Sequence, residues 1–236
     1  RCSHVTGVQT CALPISNKYV APILTVDLVA FRVVDGQLEV LLHRRPNRPF
    51  KGAWALPGGY CAEGQTTHQA LEEIVLRKTG VDITTGLNHV EQLYTFDTVA
   101  RDPRGHAVSV VYMGCGHAVG LELDDKNIQF WPVDDLPKLA YDHADIVELA
   151  RTRLASKLHY SNIAVSLLDE TFTLSEMQQV YEAVIGRILD KRNFRKKILS
   201  LDFIHETGEM QRSGAHRPAK LYAARDSELR YFRDNF

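Results

Sequence analysis

The chain is predicted to be α+β: a mixed-sheet α/β/α sandwich followed by a small helical domain closed by a β-hairpin. Three observations carry this. Up to Leu158, β-branched strand runs alternate with amphipathic helical runs. Between Leu158 and residue 200 no strand-like run of any length is expected. Two capped helices then lead into a pair of strand-like runs, the order of helix, turn, helix and hairpin.

The composition sets bounds. With 236 residues and 44% hydrophobic content there is material for one large domain or two small ones. Charged residues are 24% and the formal net charge is −1, so no global attraction to nucleic acid or membrane exists, and only local clustering of charge can supply one. The cysteines are Cys2, Cys11, Cys61 and Cys115, with no C-x-x-C pair; neither a zinc site nor a disulfide framework is expected. No apolar run approaches the ~18–20 residues of a membrane span. A reduced cytoplasmic protein with no membrane association is the expectation. "VTGVQTCALPIS" (5–16) resembles translated sequencing-adapter read-through and lacks the apolar core of a signal peptide. Residues 1–16 are therefore set aside as artefact or disorder, leaving 17–160 and 161–236 as the two expected domains.

Taken in order, "APILTVDLVAFRVV" (21–34) reads as a strand, "DGQ" (35–37) as a hairpin turn and "LEVLLHRR" (38–45) as the return strand. A loop punctuated by proline, "PNRPFKGAW" (46–54), precedes "LPGGY" (56–60). In "TTHQALEEIVLRKTGV" (66–81), Ala70, Leu71, Ile74 and Val75 form one helical face and Gly80 the C-terminal cap. "HVEQLYTFDTV" (89–99) and "HAVSVVYMGC" (106–115) read as strands around the turn "RDPRG" (101–105). "IQFWPVDDLP" (128–137) is a short strand and its exit, and "YDHADIVELARTRLASKL" (141–158) an amphipathic helix.

In the second domain "TLSEMQQVYEAVIG" (173–186) carries a capping box, Thr173 with Glu176, and an apolar face of Leu174, Met177, Tyr181, Val184 and Ile185. "DKRNFRKKILSL" (190–201) is a helix capped by Asp190 with Phe194, Ile198 and Leu201 inward. A short strand "DFIHE" (202–206), a polar loop "TGEMQRSGAHRP" (207–218) and a strand "AKLYAAR" (219–225) complete a winged helix-turn-helix.

Two constellations carry chemistry. "LPGGYCAEGQTTHQALEEIVLRKTGV" (56–81) resembles the Nudix box, G-x5-E-x7-R-E-U-x-E-E-x-G-U with U aliphatic. With Gly59 on the first glycine and Gly80-Val81 on the last pair, Gln65 stands at the first glutamate and Glu73 at the arginine. Ile74 stands at the next glutamate, and Arg77 and Lys78 at the glutamate pair. Pyrophosphate hydrolysis in that family relies on Mg²⁺, which takes carboxylate oxygens. Isoleucine cannot ligate it and two cations repel it. The chain is therefore expected not to be an enzyme of the usual kind, with no catalytic or metal-binding residue and no cofactor. A site that has lost its acids can still bind. Gly58 and Gly59 permit close backbone approach, and Arg77 and Lys78 could face a diphosphate directly. Arg44, Arg45, Arg101 and Arg104 add cations, and Phe50 and Trp54 supply rings for stacking a base. The structural alternatives are a Glu73–Arg77 surface ion pair, a core role for Trp54 and solvated arginines.

The second constellation is basic. Between Arg187 and Lys220 stand nine Lys/Arg against four Asp/Glu, the footprint of a nucleic-acid face. Lys191, Arg192, Asn193, Arg195 and Lys196 lie on the second helix and are candidates for the major groove. Arg212, His216 and Arg217 are placed like a wing.

Together the halves resemble the NrtR family of Nudix-related transcriptional regulators of NAD metabolism. The resemblance spans about residues 20–225 and includes "FKGAWALPGGY", "YDHADIVELA", "LDKRNFRKKIL" and "HRPAKLY". It implies a bacterial, homodimeric repressor that binds a palindromic double-stranded operator and releases it on taking ADP-ribose or a related nucleotide as effector. Relatives of this architecture also control pentose-sugar genes. Two other readings stay open: a residual nucleoside-diphosphate hydrolase using Glu63, Glu72 or Glu73, and a nucleotide-binding scaffold for protein partners.

Overall fold

A computed structural model describes residues 21–117, 119, 125–211, 218–226 and 228–232. The expectations for residues 1–16 and for Arg212, His216 and Arg217 lie outside them. Strands β1 (Ile23–Val34) and β2 (Gln37–Arg44) form the expected hairpin, with Asp35 (φ 49°) and Gly36 (φ 74°) both left-handed at its turn. The short strands β3 (Trp54–Ala55) and β4 (Gly58–Tyr60) follow, then α1 (Thr67–Thr79) and a single turn, α2 (Ile83–Gly86). Next come β5 (His89–Phe96), β6 (Ala107–Cys115), β7 (Ile128–Pro132) and α3 (His143–Tyr160).

The sheet runs β3-β2-β1-β6-β5, with β4 joining β1 and β7 joining β2. It is mixed: β1 pairs β6 in parallel and β2 antiparallel. Its two faces follow from the period of two along β1. Val26, Leu28 and Ala30 meet Ala70, Leu71, Ile74 and Val75 of α1 on one side. Val29, Phe31 and Val33 turn to the other side, toward Ile146, Ala150 and Leu154 of α3.

A 3₁₀ turn (Ile163–Leu167) and a two-residue strand β8 (Thr171–Phe172) open the second half. Helix α4 (Leu174–Ile185) keeps its capping box, and Gly186 ends it at φ 73°. Helix α5 (Lys191–Ser200) is capped by Asp190, whose side chain accepts from the Asn193 N–H at 2.8 Å. Strands β9 (Ile204–Gln211) and β10 (Ala219–Ala224) form the hairpin, and β8 pairs β10. The order is that of a winged helix. Met177, Val180, Tyr181 and Val184 of α4 join the same buried cluster as α3 and the sheet face.

Three sequence expectations need correction. Of the polar loop expected over 207–218, residues 207–211 are strand, since β9 extends to Gln211, and 212–217 lie outside the described residues. As the outer strand of this small sheet β9 is exposed along nearly all its length, so no alternation of apolar residues marked it. Strand β8 falls inside the region expected to lack strands; at two residues it carries no periodicity. "GGY" forms strand β4 rather than a free loop, with Gly58 opposite Asp27 and Gly59 opposite Val26.

Candidate functional site

A cavity of about 290 Å³ opens where β1, β2, β4 and the C-terminal end of α1 meet the loops bearing Arg101 and Tyr141. Seven of the ten residues expected to hold an effector line it. Arg45, Arg77, Lys78, Arg101 and Arg104 bring cations, and Gly58 and Gly59 bring backbone.

The cations differ in how free they are. Arg101 is buried and forks onto Asp142 through Nε at 2.8 Å and Nη2 at 2.7 Å. Arg104 grips Asp102 at 2.9 and 2.6 Å and lies over the Tyr60 ring. Arg77 is exposed and pairs with Glu73 one turn back at 3.0 Å, as the structural alternative had it. Arg45 donates to the Pro49 carbonyl at 2.9 Å and stands over the Tyr141 ring. Lys78 reaches inward from α1, and its ammonium donates to the Gly58 carbonyl. Burial pulls Lys78 below its ordinary pKa, against the pull of Asp27.

The box positions acquire physical meaning here. Ile74 is buried at 3% exposure and packs in the α1 core; a Cβ on Gly59 would lie 3.3 Å from its Cδ1. Gln65 donates to Glu73 at 2.8 Å on the surface, and Glu72 pairs with His68. Among the described residues no cluster of His, Cys, Asp or Glu could hold a metal ion. Glu63, Glu72 and Glu73 do not line the cavity.

Three candidates sit elsewhere. Trp54 is 8% exposed and packs edge-on against Trp131 at 5.4 Å, so it belongs to the core. Arg44 is exposed, lies over the Trp54 ring and does not line the cavity. Phe50 lies just outside, on a shelf with Arg48, Lys51, Pro103 and Arg104, its ring 4.8 Å from that of Tyr141. It is 44% exposed at the cavity's mouth.

Sequence reasoning missed the floor. Asp27, His43 and His143 are buried at 6%, 5% and 4% exposure and line the cavity. Ser109 donates to Asp27 Oδ2 at 2.6 Å and Arg101 Nη2 stands 3.9 Å from the same oxygen, while His143 Nε2 lies 3.8 Å from Oδ1. A Cβ on Gly58 would lie 2.0 Å from that Oδ1, so the glycine makes room for a carboxylate. Burial lifts Asp27 to about 6, against the pull of Ser109 and Arg101. His143 Nδ1 accepts the Leu56 N–H at 2.9 Å, which leaves any proton of the neutral ring on Nε2. Burial, then Arg101, lowers it to about 3. Burial, then Lys78, lowers His43 to about 4. The one available signal was a lone carboxylate in the apolar run "LTVDLVAF".

The second site is the outer surface of α5. Phe194 and Ile198 face the core, Phe194 edge-on to Tyr181 at 5.2 Å. Lys191, Arg192, Asn193 and Lys196 are exposed, and Arg192 and Lys196, four apart, share a face. Among the described residues no ion pair engages Lys191, Arg192 or Lys196. Arg195 departs from the expectation of an outward groove contact. It is half-buried, donates to Ser175 Oγ of α4 at 3.4 Å, and leaves Nε buried without a partner.

A Nudix sandwich joined to a winged helix defines a class of nucleotide-pocket transcriptional regulators. Comparison with known proteins agrees. Residues 24–150 match the NUDIX domain and residues 164–224 the NrtR DNA-binding winged helix domain. The chain belongs to the NrtR family. It is 34% identical over 213 residues to the ADPR responsive transcriptional repressor NtrR of Acinetobacter baylyi, covering 87% of this chain and 83% of that one. Shewanella oneidensis NrtR complexed with a 27mer DNA matches with a TM-score of 0.79 and 35% identity, over 90% of this chain and 99% of the other. The NUDIX domain of the same protein complexed with ADP ribose matches with a TM-score of 0.51 and 36% identity, over 59% and 92%. Among the described residues no helix is long and apolar enough to cross a membrane.

Proposed function

We propose that this protein is a DNA-binding transcriptional repressor that lets go of its operator when ADP-ribose or a related nucleotide fills the cavity. The observation that carries the reading is the pairing of two unlike basic sites in one chain. One is a 290 Å³ cavity ringed by Arg45, Arg77, Lys78 and Arg104, the other an exposed helix face bearing Lys191, Arg192 and Lys196. The likeness to a repressor that responds to ADP-ribose, and to structures with DNA and with ADP-ribose, supports the same assignment.

In this reading Lys78 supplies the charge a metal ion would otherwise bring to a diphosphate, so effector binding needs no Mg²⁺. On this reading the effector is held and not cut, because Ile74, Arg77 and Lys78 occupy the positions of the family's glutamates. Phe50 offers the exposed part of its ring to the base. Lys191, Arg192, Asn193 and Lys196 meet the DNA, and Arg212, His216 and Arg217 are further candidates by sequence. A homodimer would match a palindromic site by symmetry, and the cytoplasm, where DNA and nucleotide both lie, is its compartment.

The test is fluorescence anisotropy of the full chain on DNA from upstream of its own operon. Affinity is expected to fall by about 0.9 log units per log of salt for each phosphate neutralised, and ADP-ribose is expected to reverse binding without Mg²⁺. Release of AMP from ADP-ribose with Mg²⁺ would instead favour the hydrolase reading, and DNA affinity that ignores salt would favour the scaffold.

A further inference from the structure

After β10 the chain turns back to the end of α3. Tyr231 stands antiparallel to Ser161 there. The Phe232 N–H donates to the Tyr160 carbonyl at 2.7 Å, and the Asn162 N–H donates to the Arg230 carbonyl at 3.1 Å. Asn162 is 2% exposed, and both polar atoms of its amide engage this segment. Its Oδ1 accepts from the Arg230 N–H at 2.7 Å, and its Nδ2 donates to the Glu228 carbonyl at 3.1 Å. The Tyr231 ring stacks on Tyr160 and faces the Lys157 ammonium, which pairs with Glu91 of β5 at 2.6 Å. The same segment also holds the second domain. Phe232 packs on buried Phe203, just before β9, with ring centroids 5.2 Å apart. Residues 228–232 thus join the end of α3 to the base of the β9-β10 hairpin.

The attachment rests on hydrogen bonds more than on burial. Glu228, Arg230 and Tyr231 are exposed, and Leu229 and Phe232 are only partly buried. A segment with so little apolar burial opens at a small part of the global unfolding free energy. The hydrogen bonds all lie on one short stretch of chain, so they are made or lost together. Helix α3 carries this attachment toward the cavity. Its 18 residues make a rod about 27 Å long. At the far end Tyr141 and His143 line the cavity, and Asp142 between them is forked by the cavity's Arg101 at 2.8 and 2.7 Å. One end of the rod stands at the cavity and the other in the strap.

We propose that residues 228–232 are a clasp that passes effector occupancy from α3 to the winged helix, with Asn162 as the positioning residue that fastens it. This rests on the reading of the protein as a repressor released by a nucleotide, and it names the part that couples the two sites. A shift of α3 as the cavity fills reaches the base of the hairpin through the clasp. With the clasp released, each domain keeps its own ligand and the two no longer answer each other. Neither Asn162 nor Phe232 lines the cavity or lies on α5, so their loss acts on coupling and not on contact.

The test is the coupling factor, the ratio of operator affinities of the full chain without and with saturating ADP-ribose, read by fluorescence anisotropy. Such factors are on the order of 5–150-fold. Phe232→Pro removes the N–H given to Tyr160 and the ring packed on Phe203. Asn162→Ala removes both amide contacts to the strap. In each variant the factor is expected to fall about fivefold or to unity. ADP-ribose affinity of the DNA-free protein, by calorimetry, is expected to stay within about twofold of wild type. Phe232→Pro changes only the strap, so it decides the matter should Asn162→Ala fail to fold. A factor unchanged in Phe232→Pro overturns the proposal, and a lowered melting temperature beside it would mark the strap as purely structural. Loss of ADP-ribose binding by the DNA-free variant overturns it too, since the strap would then act on the cavity itself. Should ADP-ribose leave operator binding of the wild-type chain unchanged, the repressor reading fails, a result distinct from loss of coupling in the variants alone.

Discussion

The cavity and the outer face of α5 are both basic, and they handle charge in opposite ways. In the cavity most cations are already held: Arg101 by Asp142, Arg104 by Asp102, Lys78 by the Gly58 carbonyl. On α5, Lys191, Arg192 and Lys196 stand in solvent without an ion pair among the described residues. Fixed cations suit a small ligand, because side chains ordered in advance lose little entropy when it arrives. Free cations suit a polyanion, whose affinity comes from displaced counterions more than from fixed geometry. One chain thus carries a preorganised anion site and a diffuse one.

The sharpest way to break this contrast is to strip the diffuse site. Replacing Lys191, Arg192 and Lys196 together by alanine is expected to weaken operator binding about 100-fold at moderate salt. The slope of log affinity against log salt should drop by up to about 3, near 0.9 for each lost phosphate contact. ADP-ribose affinity measured by calorimetry should stay as in the wild type. A parallel loss of effector binding would mean that the two sites are not separate.

Acid should strike the other region. His43 and His143 are held neutral, at about 4 and about 3 against an ordinary 6.5. Depressed histidines contribute stability above pH 6.5 and lose it as pH falls toward their folded values, at about 1.4 kcal/mol per unit for each ring. Asp27 opposes them, because its raised pKa of about 6 makes the folded state gain protons over the same range. Two rings against one carboxylate give a net loss of about 2 kcal/mol between pH 7.5 and 5.5. Urea unfolding at the two pH values measures it, and stability that rises on acidification would show that the rings are not held neutral.

A smaller effect tests the preorganised cations one at a time. Lys78→Glu returns a carboxylate to a box position and removes the inward ammonium. Effector affinity without metal is expected to fall about tenfold or more, the effect of one hydrogen bond to a charged group. Unchanged affinity would remove Lys78 from the diphosphate site.

How much of this was legible in the sequence depends on the kind of signal. Several caps were visible: Thr173 with Glu176, Asp190, and glycines 80 and 186 mark helix ends by local hydrogen bonding that one residue type can announce, while the Thr66–Gln69 capping box of α1 was missed. The loss of the acids at the box was visible because residue types alone decide it. The floor was not. Asp27, His43 and His143 come from β1, β2 and the start of α3, and only the fold brings them within reach of each other. Arg195 misled for a related reason. Its spacing from Lys191 placed it on an outward face, yet Ser175 of α4 draws it in.

Arg44 and Arg45 make the finest comparison, since they are adjacent in sequence and were equal candidates. Side chains alternate between faces along β2 and into Arg45 just after it, so His43 and Arg45 lie on one side and Arg44 on the other. His43 and Arg45 line the cavity, while Arg44 lies over Trp54 with its guanidinium 5.3 Å from the ring. Arg45→Ala should therefore weaken ADP-ribose about tenfold, by loss of one charged contact. Arg44→Ala should change that affinity by less than about twofold, and should reduce stability by no more than about 1 kcal/mol as the exposed cation–π contact goes. Calorimetry on the two variants side by side reads the face of the strand directly. Equal losses would mean that bulk positive charge, and not the placement of Arg45, draws the effector in.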